Sequence, residues 1–204
     1  MVCPLMIEDR EEVKKCFPTL HVSFTRKCVW GTLIFGASYD SESKRFVPES
    51  EPGQVGYIED DYEILIKFDE ADSFGFPAVY EEAGCILELA KARNENCLDW
   101  HIDNRSKLCL GIFPEYKWHG VKAYILEKVI PFLYWISYRK KYEVAPWRAY
   151  SHGSVGLKEA LRFPPEQIGG DIRNKRCPCG SGKKYKHCCL QRDAIILNVL
   201  RSGN

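Results

Sequence analysis

The chain has 204 residues, is 45% hydrophobic and 13% aromatic, and carries a formal net charge of +1. That length fits one main domain plus an appendage, and the apolar fraction supports a packed core, which excludes a disordered chain. Near-neutral charge argues against a dedicated nucleic-acid binder, and no run approaches the ~18 apolar residues that a spanning helix needs.

The opening MVCPLMIEDREEVKK has charges where a secretory leader needs an apolar run, so no leader is expected. Residues 8–16 read as a short charged helix that stops before Pro18. Residues 20–24 and 29–37 are rich in β-branched and aromatic side chains and read as strands. Residues 40–56, with Pro48, Pro52 and Gly53, read as a mobile polar connection. The alternation of YEILIKF at 62–68 predicts a half-buried strand. Phe74–Gly75–Phe76–Pro77 predicts a turn, with another short strand over 78–82. Residues 85–93 fit either a helix or a buried strand, and Cys85 within them reads as inert core.

Residues 97–110 are irregular and hold His101, Asp103, Asn104 and the Leu-Cys-Leu triplet around Cys109. Asp99 and Trp100 read as loop supports. Over 120–142, Val121, Ile125, Val129, Phe132, Leu133 and Ile136 recur at helical spacing, and Pro131 should kink or split that helix. Tyr134, Tyr138 and Tyr142 share one face as packing, and Trp118, Trp135 and Trp147 read as core. A loop and then a helix from Ser154 follow, residues 163–170 read as a linker, and 194–200 as one or two helical turns. Strands followed by helices give an α+β layout, an antiparallel meander sheet flanked by helices.

The chain has ten cysteines, and four fall in CPCGSGKKYKHCC. Cys177 and Cys179 form a hook, eight residues follow, and Cys188 and Cys189 close the set. Four thiols this close suit one tetrahedral Zn²⁺ held as a structural ion. Gly180 and Gly182 permit a sharp reversal, and Lys183, Lys184 and Lys186 offset a site of about −2. Two disulfides are the alternative, made awkward by adjacent Cys188 and Cys189 and by a short hook. The stretch resembles the zinc-binding motif at the C-terminus of the bacterial secretion ATPase SecA, known as SEC-C, which implies a bacterial source and a small docking module. Arg173, Lys175 and Arg176 extend the basic character, which fits an acidic protein partner or a solvated rim. The unpaired remaining thiols and the absence of a leader point to a reducing cytoplasm.

YEILIKF, then FGFPAVYEEAG, then a segment ending HIDNRSKLCLG resembles the ubiquitin-conjugating fold. FPEYKW, a helix with IPFLYW, and the Trp147-to-Gly153 segment match its prokaryotic branch. The resemblance implies a ubiquitin-conjugating-like domain over 1–162, a linker over 163–173 and the zinc module over 174–204. It makes Cys109 the thioester cysteine, which carries an acyl group and passes it to an amine. The eukaryotic His-Pro-Asn motif is missing, and His101 falls where its asparagine would stand, as oxyanion stabiliser or general base. His152 is a second candidate that could orient the amine, and His119 a third that reads better as a turn residue. The family context implies antiphage operons, with an activating enzyme, a CD-NTase-type nucleotidyltransferase or a ubiquitin-like protein as partners. The chain ends Arg201-Ser202-Gly203-Asn204 without Gly-Gly, so it is not expected to be the modifier.

Three function classes remain open on the residues. The first is an acyltransferase. The second is a catalytically inactive binding module of the same fold with a zinc docking motif. The third is a cysteine hydrolase pairing Cys109 with His119 or His152, disfavoured because KLCLGIFP does not read as a helix start. A buried, inert Cys109 between Leu108 and Leu110 is the competing reading of that thiol.

Overall fold

A computed structural model describes residues 3–202; the Gly203–Asn204 end, from which the lack of a terminal Gly-Gly was read, lies outside them. The described chain is α+β and divides into two compact units: residues 3–110 with Trp118–Arg148, and Gly111–Lys117 with residues 149–202. None of its helices is long and apolar enough to cross a membrane.

In the first unit, helix α1 (Ile7–Cys16) precedes an antiparallel sheet ordered β1 (Leu20–Ser23), β2 (Cys28–Asp40), β4 (Ile58–Ala71), β5 (Pro77–Glu81), with β3 (Arg45–Val47) paired to the far end of β2. The alternation read in YEILIKF is real: Tyr62, Ile64, Ile66 and Phe68 are buried, and Glu63, Leu65 and Lys67 face outward. The pairing is Val29 with Ile66 and Leu33 with Tyr62, which puts four buried side chains on one face. Asp9 is buried and ties two helix starts together. Its Oδ2 accepts from the Met6 N–H at 2.7 Å, and its Oδ1 from the Val121 N–H at 2.9 Å. Gly120 precedes Val121 at φ +93, and a Cβ there would press on Asp9 Oδ1 at 3.1 Å.

Residues 40–56 are not a bare connection. Phe46 on β3 packs edge-on to Tyr134 at 5.2 Å and to Trp147 at 6.0 Å. Ser50 Oγ hydrogen-bonds Ser38 and Gln54 at 2.9 and 2.8 Å. One aromatic anchor and a small hydroxyl network order a segment whose composition alone looks like loop. Residues 85–93 resolve as helix α2 (Cys85–Ala92), with Ile86 and Ala90 on the buried face.

The long helical segment is split, as Pro131 requires. Helix α3 (Val121–Tyr124) runs into a π-helical turn (Ile125–Val129) and then helix α4 (Ile130–Tyr142). In the π turn the Ile130 N–H reaches back five residues to the Ile125 carbonyl. That widened turn sits directly ahead of Pro131, where the ring would otherwise collide with the preceding turn. Seven successive α4 residues, from Ile130 to Ser137 with Pro131 excepted, are buried. Tyr134 stacks on Trp147 and its hydroxyl donates to the Gly56 carbonyl at 2.6 Å. Of the tryptophans read as core, Trp135 is buried and Trp118 and Trp147 are half-buried; Trp100, read as a loop support, has no exposure.

The second unit contains α5 (Gly153–Ala160), short 3₁₀ turns at Pro165–Gln167, Asp171–Asn174 and Tyr185–His187, and α6 (Leu190–Ser202). Helix α6 is about twice as long as residues 194–200 suggested, because Arg192 and Asp193 at its start are buried and paired rather than solvated. The segment read as a linker holds two of the 3₁₀ turns, and its Phe163 packs edge-on to Tyr185 at 4.9 Å. Around Tyr185, the buried Ile172, Cys177 and Cys189 form a small core.

Candidate functional site

The cysteine cluster of the second unit is built by a short two-stranded turn. Arg176 pairs with Lys184, the Cys177 N–H donates to the Lys183 carbonyl at 2.8 Å, and the Tyr185 N–H to the Lys175 carbonyl at 2.9 Å. Between them Gly180 and Gly182 take φ of +82 and +73 with open space around each, so glycine is needed there for conformation and not for room. The reversal brings the Sγ atoms of Cys177, Cys179, Cys188 and Cys189 within 4.8 Å of one another. Cys179 and Cys188 sulfurs are 3.4 Å apart, and Cys188 and Cys189 sulfurs 3.7 Å. All ten cysteines are free thiols, so the disulfide alternative falls.

Four convergent sulfurs, those of buried Cys177 and Cys189, half-buried Cys188 and exposed Cys179, form a metal site. The thiols are not equivalent. The Ser181 hydroxyl and backbone N–H, followed by Cys188, draw the Cys179 thiol down to about 6. Burial first, then the neighbouring sulfurs, push Cys189 up to about 12. One thiolate is thus ready for a cation, and the buried thiol must give up its proton when the cation arrives. Lys183, Lys184 and Lys186 are exposed around the turn, as are Arg173, Lys175 and Arg176.

Residues 173–191 match the SEC-C motif. The curated relatives include the protein translocase subunit SecA of Desulforudis audaxviator, 48% identical over 44 residues, which are 22% of this chain and 4% of that protein. Protein translocase subunit SecA 1 of Rhodopirellula baltica is 53% identical over 38 residues, 19% of this chain and 3% of its own length. The chain therefore spans only a few hundredths of these relatives. No solved structure matches it. The SEC-C motif accounts for all four sulfurs.

The second candidate site lies in the first unit, on the segment after α2. A 3₁₀ turn (Cys97–Trp100) ends at His101, which takes the left-handed conformation at φ +53, ψ +36. The chain then doubles back: Ile102 bridges Leu108, and Lys107 bridges Tyr80 on β5. Asp103 organises this return, its Oδ1 accepting from the Arg105 and Lys107 N–H groups at 2.7 and 2.9 Å. Asp103 is therefore a turn residue, and Asn104 is exposed at the tip. The Leu108 N–H donates to the Val79 carbonyl and the Cys109 N–H to the His101 carbonyl, both at 2.8 Å. Leu108 is buried and Cys109 is exposed, as alternation along an extended chain demands. The buried reading of Cys109 is overturned.

A ring nitrogen of His101 lies within 4.8 Å of Cys109 Sγ. His101 is half-buried, with its ring edge-on to Trp135 at 5.2 Å. His152 belongs to the second unit, half-buried at the N-cap of α5, and His119 is exposed ahead of α3. Cys97 is partly buried in the 3₁₀ turn. Cys85 is exposed at the start of α2, not core; partial burial, then the Glu81 and Glu88 carboxylates, push its thiol up, which weakens it as a nucleophile.

Sequence reasoning missed the supports of both sites. At the Cys109 segment, Arg139 from α4 donates to the Asp99 carbonyl and to Glu95 Oε2, the latter at 2.6 Å. Its guanidinium lies 4.2 Å from the Trp100 ring centroid, and Trp100 Nε1 donates to the same Glu95 oxygen at 2.8 Å. At the cysteine cluster, the Ser181 hydroxyl lies 3.1 Å from the Cys188 sulfur, and the Asp193 N–H donates to the Cys189 carbonyl. Ser181 was legible, as the one hydroxyl in the Gly-Ser-Gly reversal that follows the hook. Arg139 is 40 residues from Asp99, a spacing that no local pattern reveals.

Proposed function

We propose that this chain is a ubiquitin-conjugating-like acyltransferase that carries its acyl group as a thioester on Cys109, with Zn²⁺ as the structural ion of the SEC-C motif. The observation that carries the reading is the exposed Cys109 with a His101 nitrogen within 4.8 Å of its sulfur. The order of helix, antiparallel meander, irregular cysteine segment and helix supports it. Cys109 takes the acyl group from an activating enzyme's thioester and releases that enzyme's thiol. A primary amine then attacks the carbonyl carbon, forms an amide, and returns Cys109 as a thiol. A donor at His101's separation suits the oxygen of the tetrahedral intermediate, one bond out from the carbon held by sulfur. His152 enters on the sequence argument alone.

The acyl donor, on this reading, is the C-terminal carboxyl group of a ubiquitin-like protein or of a CD-NTase-type nucleotidyltransferase in an antiphage operon. The exposed cations of the SEC-C segment suit an acidic protein partner. On this reading the reaction takes place in a reducing cytoplasm, which suits the free thiols. Intact mass after incubation with the activating enzyme and donor encoded beside the gene tests the proposal. Wild type should gain the donor mass and lose it to a thiol reductant. Cys109→Ser should form a reductant-resistant ester, and Cys109→Ala nothing. An adduct surviving in Cys109→Ala would move the nucleophile elsewhere; no adduct on wild type would favour an inactive binding module that docks through its metal motif.

A further inference from the structure

The metal centre does not end with the SEC-C segment. Two residues outside the matched stretch 173–191, Arg162 before it and Asp193 after it, pack against the ligands. Asp193 has no exposure and spends both carboxylate oxygens. Oδ1 accepts from Arg192 Nη1 at 2.6 Å, and Oδ2 accepts from the Tyr185 hydroxyl at 2.7 Å and from the Arg162 backbone N–H at 2.9 Å. Arg192 Nη1 also donates to the Ala160 carbonyl at 2.8 Å, two residues before Arg162. Asp193 is itself tied to the cluster, because its N–H donates to the carbonyl of Cys189 at 2.9 Å, one helical turn back. The backbone at residues 160–162 is thus fixed relative to Cys189, which puts the Arg162 side chain where its charge acts on the Cys189 thiol.

We infer that Arg162 is a positioning residue of the metal centre: held by Asp193, it donates an N–H···S hydrogen bond to the Cys189 thiolate and neutralises part of the surplus negative charge. Four thiolates around a divalent ion leave about −2. The exposed lysines meet that charge from the solvent side, whereas Cys189 is buried and little water reaches it. Arg162 is the cation the fold aims at it. Outer groups of this kind orient a ligand and tune its basicity, and their loss commonly weakens metal binding about 10–100-fold.

The inference rests on the four cysteines binding a metal, and the experiment separates the two. The full chain is titrated with Zn²⁺ against a chromophoric chelator and, separately, with Co²⁺ to record the sulfur-to-cobalt charge-transfer band. Arg162→Met removes the side-chain donor but keeps the backbone N–H to Asp193. It should lower Zn²⁺ affinity about 10–100-fold and move the band to longer wavelength, because a sulfur without its hydrogen bond is more easily oxidised. Arg162→Lys keeps a cationic donor and should fall between the two; it decides the matter if Arg162→Met does not fold. An affinity within about threefold of wild type, less than the loss such a contact should cause, with an unmoved band in the folded variants, overturns the role of Arg162. A wild-type chain that takes up neither ion overturns the metal site and this inference with it.

Discussion

Cys109 is exposed because its neighbour Leu108 is not. The segment leading to it is held on both sides: Leu108 hydrogen-bonds β5, and the Cys109 N–H closes on the His101 carbonyl. His101 keeps a left-handed conformation that a residue with a Cβ adopts reluctantly, so the surroundings must impose it. The turn's own backbone bonds hold it, and Arg139 braces it from α4. It fastens the Asp99 carbonyl two positions earlier, pairs with Glu95, and lies over Trp100, while Trp135 one turn back on α4 meets the His101 ring. Arg139→Met should therefore release the segment: it removes a charge-assisted bond to a carboxylate and another to a carbonyl, about 2 kcal/mol together. Amide exchange at Cys109 should quicken by about 30-fold, with β4 amides unchanged, as read by hydrogen–deuterium exchange with peptide mass analysis. Unaltered exchange over 97–109 would show that α4 does not hold the segment. The charge matters less than the fork here, so Arg139→Lys should recover only part of the protection.

At the scale of elements, the legible parts were those with a strong period. The β4 alternation and the helical spacing after Gly120 were readable because each buries one regular face. β3 was not, since three residues have no period; it exists because Phe46 meets Tyr134 and Trp147, which stand far along the chain. The four sulfurs were legible for the opposite reason: their ligand spacing is entirely local. Cys109 was singled out by motif order, but whether it is exposed or buried depends on tertiary alternation, as it does for Cys85, which was read as core and is exposed. Pro131 shows a local signal read correctly in kind and incompletely in form. A proline inside a continuous helix costs about 3 kcal/mol, yet here it occupies the second position of α4 behind a π turn. The π turn shifts the bonding there to five residues back, so the proline ring does not meet the carbonyl four residues before it as it would in a regular helix. Pro131→Ala should consequently change stability by less than about 1 kcal/mol in denaturant melts. A gain near 3 kcal/mol would mean that the π turn leaves the strain in place.

For the whole molecule, the contrast between the two units concerns what stabilises each. The first has a sheet face of buried aliphatic residues and a helix buried around most of its circumference. Around the metal cluster the second has a core of four buried residues, two of which, Cys177 and Cys189, are metal ligands. A core that small cannot hold a turn-rich segment by apolar burial, so metal binding there contributes folding free energy directly. Removing the metal with a chelator should raise hydrogen exchange over 172–193 while leaving β2 and β4 protected. The pH dependence has a definite sign. A thiol protonated in the metal-free chain must release its proton on binding, so affinity rises with pH. Cys189, pushed up to about 12 by burial, holds its proton throughout the neutral range and contributes to the slope everywhere below that value. Cys179, drawn down to about 6 by Ser181, is already a thiolate at neutrality and competes with protons only below about 6. Metal affinity should thus fall as pH is lowered and fall more steeply once pH passes below about 6, with exchange protection over 172–193 lost in the same range. Affinity independent of pH between 5 and 8, which stays below the about 12 of Cys189, would show that the ion is not held by these thiols. Ser181→Ala separates the two thiols: it removes the hydroxyl that stabilises the Cys179 thiolate and should move the steep part of the curve to higher pH.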